Sequence, residues 1–287
     1  MKLLLIAFLF FTSLPAEAQV VNIPDQVFKS VLVNNPAINT NGDGEIQISE
    51  AAMIIDLIIS PAYSNSGDLT YIGPYDLTGI EAFTNLRTLT IQDLVQISEL
   101  NLSGLSNLVA VNGTGATQLS KIELNGCTAL DTLILWGMSN GTDPYNYILD
   151  TVDLSDCNNL RLLHCTGYLG LDTIMLQNCI NIEDIELVYA GCSLKDIRML
   201  TKLKRLVYQY AAAINLNCAN FIQLQEISLF DAGIDSLDLT NCIGLKKFIC
   251  YIYPPTPNIT SIDLSGSPNL AAFEIGGFSN LQYLNIK

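Results

Sequence analysis

Leu149-Asp-Thr-Val152-Asp-Leu154-Ser-Asp-Cys157-Asn-Asn-Leu160-Arg-Leu-Leu163-His-Cys165 is one copy of a pattern that returns about every 21 or 22 residues over the last two-thirds of the chain. With Cys157 as anchor, equivalent positions are Phe83, Leu105, Cys127, Cys179, Leu200, Phe221, Cys242 and Ser267. The separations run 22, 22, 30, 22, 21, 21, 21 and 25 residues. Three residues after each anchor stands a Leu or Ile, from Leu86 through Leu160 to Leu270. Six after stands another large apolar residue, from Leu89 through Leu163 to Phe273. A unit this short exposes apolar edges that only a neighbouring copy covers, so the pattern predicts a solenoid.

Before each anchor the apolar period is two, as in Leu100 and Leu102, Ile122 and Leu124, and Ile262 and Leu264. After it a second alternating pair appears, such as Leu133 and Leu135 or Ile227 and Leu229. Alternation marks short, half-buried strands. Two extended segments per coil, stacked into parallel ladders with little helix, are expected. The pattern resembles the leucine-rich repeat in a Cys-x-x-Leu form, over residues 77–287, with about nine units and the last incomplete. Leu281-Gln-Tyr-Leu284-Asn-Ile286 has the shape of a strand whose anchor would fall at 289, beyond Lys287. That end is expected to reflect a truncated chain, a missing carboxy-terminal domain or a covering partner.

Residues 1–18 read as a secretory signal: Lys2, the apolar run Leu3 to Phe11, then Ala16-Glu17-Ala18 as a small-x-small cleavage site. The run is too short to span a membrane. Export would favour disulfides, yet all eight cysteines fall in slots that the repeat reserves for small buried apolar residues. Reduced, packed thiols are therefore expected.

Residues 19–76 are read as a cap over the first coil. Pro24 and Asp25 open a helix with Val27, Phe28, Val31 and Leu32 on one face, and Pro36 closes it. Then Asn39-Thr-Asn41-Gly-Asp43-Gly44-Glu45-Ile46-Gln47-Ile-Ser49-Glu50 has oxygen donors at places 1, 3, 5 and 12, Gly at 6 and Ile at 8. This is the spacing of an EF-hand calcium loop. Asn39, Asn41, Asp43 and Glu50 would bind through side chains, Glu45 through its carbonyl and Gln47 through a water. Asn39 stands where Asp is usual, so calcium would bind weakly. The same stretch also fits a turn followed by a helix start at Ser49 and Glu50. Ile23-Pro-Asp-Gln-Val-Phe-Lys-Ser-Val-Leu32 together with this loop resembles the amino-terminal region of secreted Bacteroidetes-type leucine-rich-repeat proteins. That resemblance implies export, surface exposure and a binding role.

Function is read from what the coils leave outside. The column four residues before the anchor (Asn101, Glu123, Asp153, Met175, Arg198, Asn217, Asp238, Asp263) is expected on a solvated concave face. The net charge of -15 disfavours nucleic acid and anionic membranes. Aromatics collect nine to eleven residues after the anchor: Trp136, Tyr168, Tyr189, Tyr210, Phe230, Tyr251 and Tyr253, with Tyr145 and Tyr147 in an insertion at 136–148. Stacked coils would line these into a ridge for a protein or glycan partner. A plain cover for the coil edge fits the same rings. His164 is the sole His, and no base–nucleophile arrangement or phosphate loop is legible. The reading is an exported binding or adhesion module, not an enzyme. The alternative is a structural spacer presenting a missing carboxy-terminal domain.

Overall fold

The computed structural model describes residues 19–63, 71–93, 96–115, 118–137, 149–168, 170–192, 197–210, 214–232, 234–252 and 259–286. The signal-like segment, Tyr145, Tyr147 and Tyr253 lie outside them. Helix α1 (Gln26–Val33) opens the chain, with Asp25 accepting hydrogen bonds from the N–H groups of Val27 and Phe28, both at 2.8 Å. Those bonds satisfy donors that a helix start otherwise leaves open. Phe28 and Leu32 are buried, Val27 and Val31 are half-buried, and the helix ends at Val33, ahead of Pro36. A single turn, α2 (Ile48–Ala51), follows the acidic loop.

The solenoid is organised on one sheet of ten strands, paired in chain order. They are β1 (Asp56–Ile59), β2 (Thr88–Gln92), β3 (Ala110–Thr114), β4 (Thr132–Trp136), β5 (Leu162–Thr166), β6 (Asp184–Val188), β7 (Arg205–Gln209), β8 (Glu226–Phe230), β9 (Lys247–Tyr251) and β10 (Ala272–Gly276). Every pairing is parallel and in register, so Leu133, Leu163, Ile185, Leu206, Ile227 and Phe248 stand over one another. All six are fully buried. Burying one such side chain is worth roughly 1.5–3 kcal/mol. Cap and coils share one hydrophobic core, in which Phe28 and Leu32 belong with the repeat leucines. This is a parallel-strand solenoid with few helices, as the period requires.

The second ladder differs from expectation. Segments before the anchor form isolated pairs: Glu99–Asn101 with Lys121–Glu123, Thr151–Asp153 with Thr173–Met175, Ile214–Asn217 with Ile234–Asp238, and Ser261–Asp263 with Tyr283–Asn285. The polar column expected on a broad face sits on these short strands and closes them. Asn101, Asp153, Asn217, Asp238 and Asp263 each accept the N–H two residues on, at 2.9–3.0 Å. Such Asx turns end a strand and bend the chain toward the anchor.

Two further ladders join the coils. Asn85, Asn107, Asn159, Asn181 and Asn269, each two residues past an anchor, donate to a carbonyl of the preceding coil at 2.7–3.0 Å. The thiols of Cys127, Cys179 and Cys242 donate to carbonyls of Leu102, Leu154 and Cys218 at 3.1 Å, and the Ser267 hydroxyl does the same to Cys242. All eight cysteines are free and buried. Among the described residues no helix is long and apolar enough to cross a membrane.

Burial pushes the thiols of Cys127 and Cys242 up to about 11, and those of Cys157, Cys179, Cys192 and Cys250 up to about 12. Thiolate is the reactive form. Alkylation of the native, unreduced protein at neutral pH, followed by mass spectrometry, is expected to label none of the eight and to find no linked pair. Denaturation before alkylation should expose all eight.

Candidate functional site

Strand alternation turns every second residue of the ten-stranded sheet outward. The entry edge of that outer face is ionic. Asp131 pairs with Arg161, Glu183 with Lys204 at 2.7 Å, and Glu226 with Lys247 at 2.7 Å. Arg205 bridges Asp184 at 2.9 Å and Glu186 at 2.6 Å. Each pair joins neighbouring coils, because in-register strands place the residues side by side. Burial pushes the Asp184 carboxyl up, but His164 and Arg205 outweigh it and hold it below the usual range. His164 Nε2 lies 3.2 Å from Asp184 Oδ1, half-buried in mid-sheet. Its ring thus hydrogen-bonds the same carboxylate that Arg205 holds.

The exit edge, where the strands end, has a different character. Trp136, Phe230 and Tyr251 occupy the last outward strand position, in one register column with Thr166, Val188 and Gln209. Tyr189 and Tyr210 occupy the next residue of their coils. Tyr189 and Tyr210 stack with ring centroids 4.4 Å apart and planes 3° from parallel. Phe230 and Tyr251 stack at 5.3 Å. Trp136, Tyr189 and Tyr210 are 50, 37 and 41% exposed. Tyr251 also donates its hydroxyl to Glu274 at 3.0 Å.

Tyr168 is not part of this ridge; it is fully buried. The reason is a change of backbone direction. Residues just past the strands adopt left-handed φ, as at Asp93, Gly115, Gly167, Tyr189, Tyr210, Asp231 and Gly277. This breaks the two-residue alternation, so the following residue turns inward. Tyr168, Ala190 and Ala232 hold that slot and are all buried. The Tyr168 ring fills space that Gly137 leaves open: a Cβ there would come within 2.9 Å of Tyr168 Cζ. Tyr208 is also interior, and its hydroxyl donates to the Cys192 carbonyl at 2.6 Å.

The cap loop is closed by its own hydrogen bonds. Asn39 Oδ1 accepts from Gly42 N, Asn41 Oδ1 from Asp43 N, and Asp43 Oδ1 from Glu45 N, at 2.8–3.0 Å. Glu50 Oε1 accepts from the N–H and hydroxyl of Thr40 at 2.7 and 2.8 Å, while Oε2 accepts from Gln47 N at 3.1 Å. The side-chain amides of Asn41 and Gln47 both donate to Asp43 Oδ2, at 3.0 and 2.7 Å. The Glu45 carboxylate pairs with Lys29 at 2.6 Å. Ile46 is fully buried and anchors the loop, and the bridge Val20↔Gln47 ties it to the chain's first described residues. The residues keep the spacing of a calcium loop, with Asn39 in the place usually held by Asp. Their oxygens converge only once the Asn41 and Gln47 amides turn about, since each now presents N–H to Asp43. Among the described residues, no three His, Cys, Asp or Glu side chains form a metal-ligand group.

No family model matches the chain, and no curated protein is significantly similar to it. Similar solved structures include the functional domain of InlJ from Listeria monocytogenes, described as including a cysteine ladder. It is 18% identical, with a TM-score of 0.38, 92% of this chain covered and 71% of that one. Internalin C2 from the same organism is 20% identical at a TM-score of 0.41, covering 80% and 96%. A leucine-rich repeat protein from Bacteroides ovatus is 11% identical at 0.17, covering 80% and 83%. At these scores the likeness adds nothing to the strand register described above.

Burial pushes the Glu50 carboxyl up, but hydrogen bonds from Gln47, Thr40 and Asn41 outweigh it and leave the pKa lowered. A lowered folded-state pKa stabilises fully above the unfolded value and ceases to do so as pH falls through the folded one. Cap stability, followed by hydrogen exchange at Thr40 and Gln47, should therefore drop as pH falls below the ordinary glutamate range and through the lowered Glu50 pKa. Glu50→Gln should destabilise the protein by on the order of 1–2 kcal/mol at pH 7 and flatten that dependence.

Proposed function

We propose that this chain is a non-catalytic binding or adhesion module that captures a protein partner on the outer face of its ten-stranded sheet. The observation that carries this reading is the exit edge. There, Trp136, Tyr189 and Tyr210 stand exposed and rings on neighbouring coils stack in pairs, while Arg161, Lys204, Arg205 and Lys247 at the entry edge are tied to carboxylates. Rigid aromatic side chains offer large contact area at little entropic cost and are enriched where binding energy concentrates. Export through residues 1–18 belongs to the same proposal, since a secreted module meets its partner outside the cell.

The cap loop is proposed as a weak calcium site. Asn39, Asn41, Asp43 and Glu50 would supply side-chain oxygens and Glu45 its carbonyl, with Gln47 reached through a water. Binding has to break the amide contacts to Asp43, which accords with a Kd on the order of 10⁻⁴–10⁻³ M, as in extracellular modules. Isothermal titration with calcium should show a single site that Asp43→Ala removes while hydrogen exchange in the rest of the cap is unchanged. Absence of heat at millimolar calcium rejects this.

A host-protein pull-down and a glycan array on the mature chain test the main reading. Specific protein capture is expected, and Trp136→Ala combined with Tyr251→Ala should reduce it at least about tenfold without lowering Tm by more than a few degrees. Capture that survives the double change removes the ridge as the site. Absence of any partner favours a structural spacer.

A further inference from the structure

The exit edge separates aromatic from cationic groups, and this points to the chemistry of the partner. At the last strand position and the residue after it, no described coil carries Lys or Arg. The cations Arg161, Lys204, Arg205 and Lys247 all lie at the entry edge, tied to carboxylates. Carboxylates border the rings instead: Asp93 and Asp231 hold the residue just after a strand, Glu274 holds the middle position of β10, and none has a cation partner among the described residues. Asp231 is exposed and its side chain has no partner among the described residues, and Glu274 accepts the Tyr251 hydroxyl.

Tyr189 and Tyr210 hold φ of 52° and 51°. Other coils meet the same left-handed position with Gly115, Gly167 and Gly277, or with Asp93 and Asp231. Glycine adopts that conformation freely and tyrosine does not. Folding stability alone gives no reason to place a tyrosine there twice in succession, and mutual stacking offsets only part of the strain. The stack runs from coil to coil, so its two outer faces look toward Gly167 on one side and Asp231 on the other. Gly167 has no side chain to cover the Tyr189 face. Asp231, exposed and without a side-chain partner among the described residues, holds the neighbouring slot on the Tyr210 side. The face of an aromatic ring carries negative charge density and attracts a cation, and a neighbouring carboxylate strengthens the attraction.

We propose that this edge binds the Arg or Lys side chains of an extended, basic segment of a protein partner, held over the Tyr189–Tyr210 stack and countered by Asp231 and Glu274. The inference rests on the binding-module reading and gives its partner a charge. Coils repeat every ~4.8 Å, so the five steps from β5 to β10 span ~24 Å, the length of about seven extended residues. The net charge of -15 draws such a segment in from a distance.

The test uses the mature chain and a fluorescent eight-residue peptide of alternating Arg and Gly, with a Glu–Gly peptide and a neutral glucose hexasaccharide as comparison probes. Polarisation should show saturable, salt-sensitive binding of the Arg peptide alone. Tyr189→Asn with Tyr210→Asn should weaken it about tenfold while leaving Tm unchanged or higher, because Asn tolerates left-handed φ. Asp231→Asn with Glu274→Gln should weaken it similarly, and this pair stands in if the tyrosine variant fails to fold. Glu99→Gln with Asp150→Asn removes equal charge elsewhere and should have little effect. Equal binding by the ring variant, equal loss in the charge control, no binding of the Arg peptide, or binding of the hexasaccharide alone overturns the proposal. If the Arg peptide fails yet protein capture still depends on Trp136 and Tyr251, the module reading stands with a different partner chemistry. Loss of both removes it.

Discussion

In-register parallel pairing of each coil on the next is the constraint from which the other features follow. It sets leucine over leucine and thiol beneath carbonyl, and it repeats that arrangement along ten strands. Because the coils are equivalent, a residue type at one slot meets the same slot one coil away. The core is therefore built from columns. So are the polar ladders: asparagines past the anchors and the thiols of Cys127, Cys179 and Cys242 spend their donors on a carbonyl of the preceding coil. A buried donor without such a partner would cost about 1–3 kcal/mol, so these columns protect the stack as much as they add to it.

The same register sorts the outside. Side chains at one strand position come to lie next to the same position on neighbouring coils. Opposite charges on successive coils then pair, as Asp184, Arg205, Glu226 and Lys247 show along a single column. Exposed ion pairs of this kind contribute at most about 1 kcal/mol each, but they neutralise the entry edge. Rings on successive coils stack instead, which leaves the exit edge aromatic and acidic. One sheet thus presents two chemically distinct borders.

At the cap the problem is the opposite one, since no previous coil exists to satisfy the first. The acidic loop and α1 take that place. Ile46, Phe28 and Leu32 enter the shared core, while Glu50 gathers the N–H groups that the turn leaves open. Glu50 is nearly buried, at 5% exposure. The turn-and-helix reading of this stretch and the calcium reading therefore use the same carboxylate. The helix begins at Ile48, one residue ahead of Ser49, because Glu50 reaches back to the N–H of Gln47.

The repeat period was legible from residues alone, and with it the solenoid, the burial of the cysteines, the α1 cap and the set of aromatics near the strand ends. Periodicity reports which slots are dry, and that depends only on spacing along the chain. Which alternating segment forms the continuous sheet was decided in three dimensions. The segments before the anchor read equally well as strands, yet Asx turns at Asp153 and Asp238 cut them short. The division of the rings was likewise tertiary. Tyr168 and Tyr189 lie one slot apart in the repeat, and the left-handed φ of the Tyr189 slot, held by Gly167 in the coil of Tyr168, reverses which way the next residue faces. Dihedral sign leaves only a faint trace in composition, the Gly and Asp of other coils. Whether a ring meets open water or the gap above Gly137 is settled by what the neighbouring coil leaves vacant.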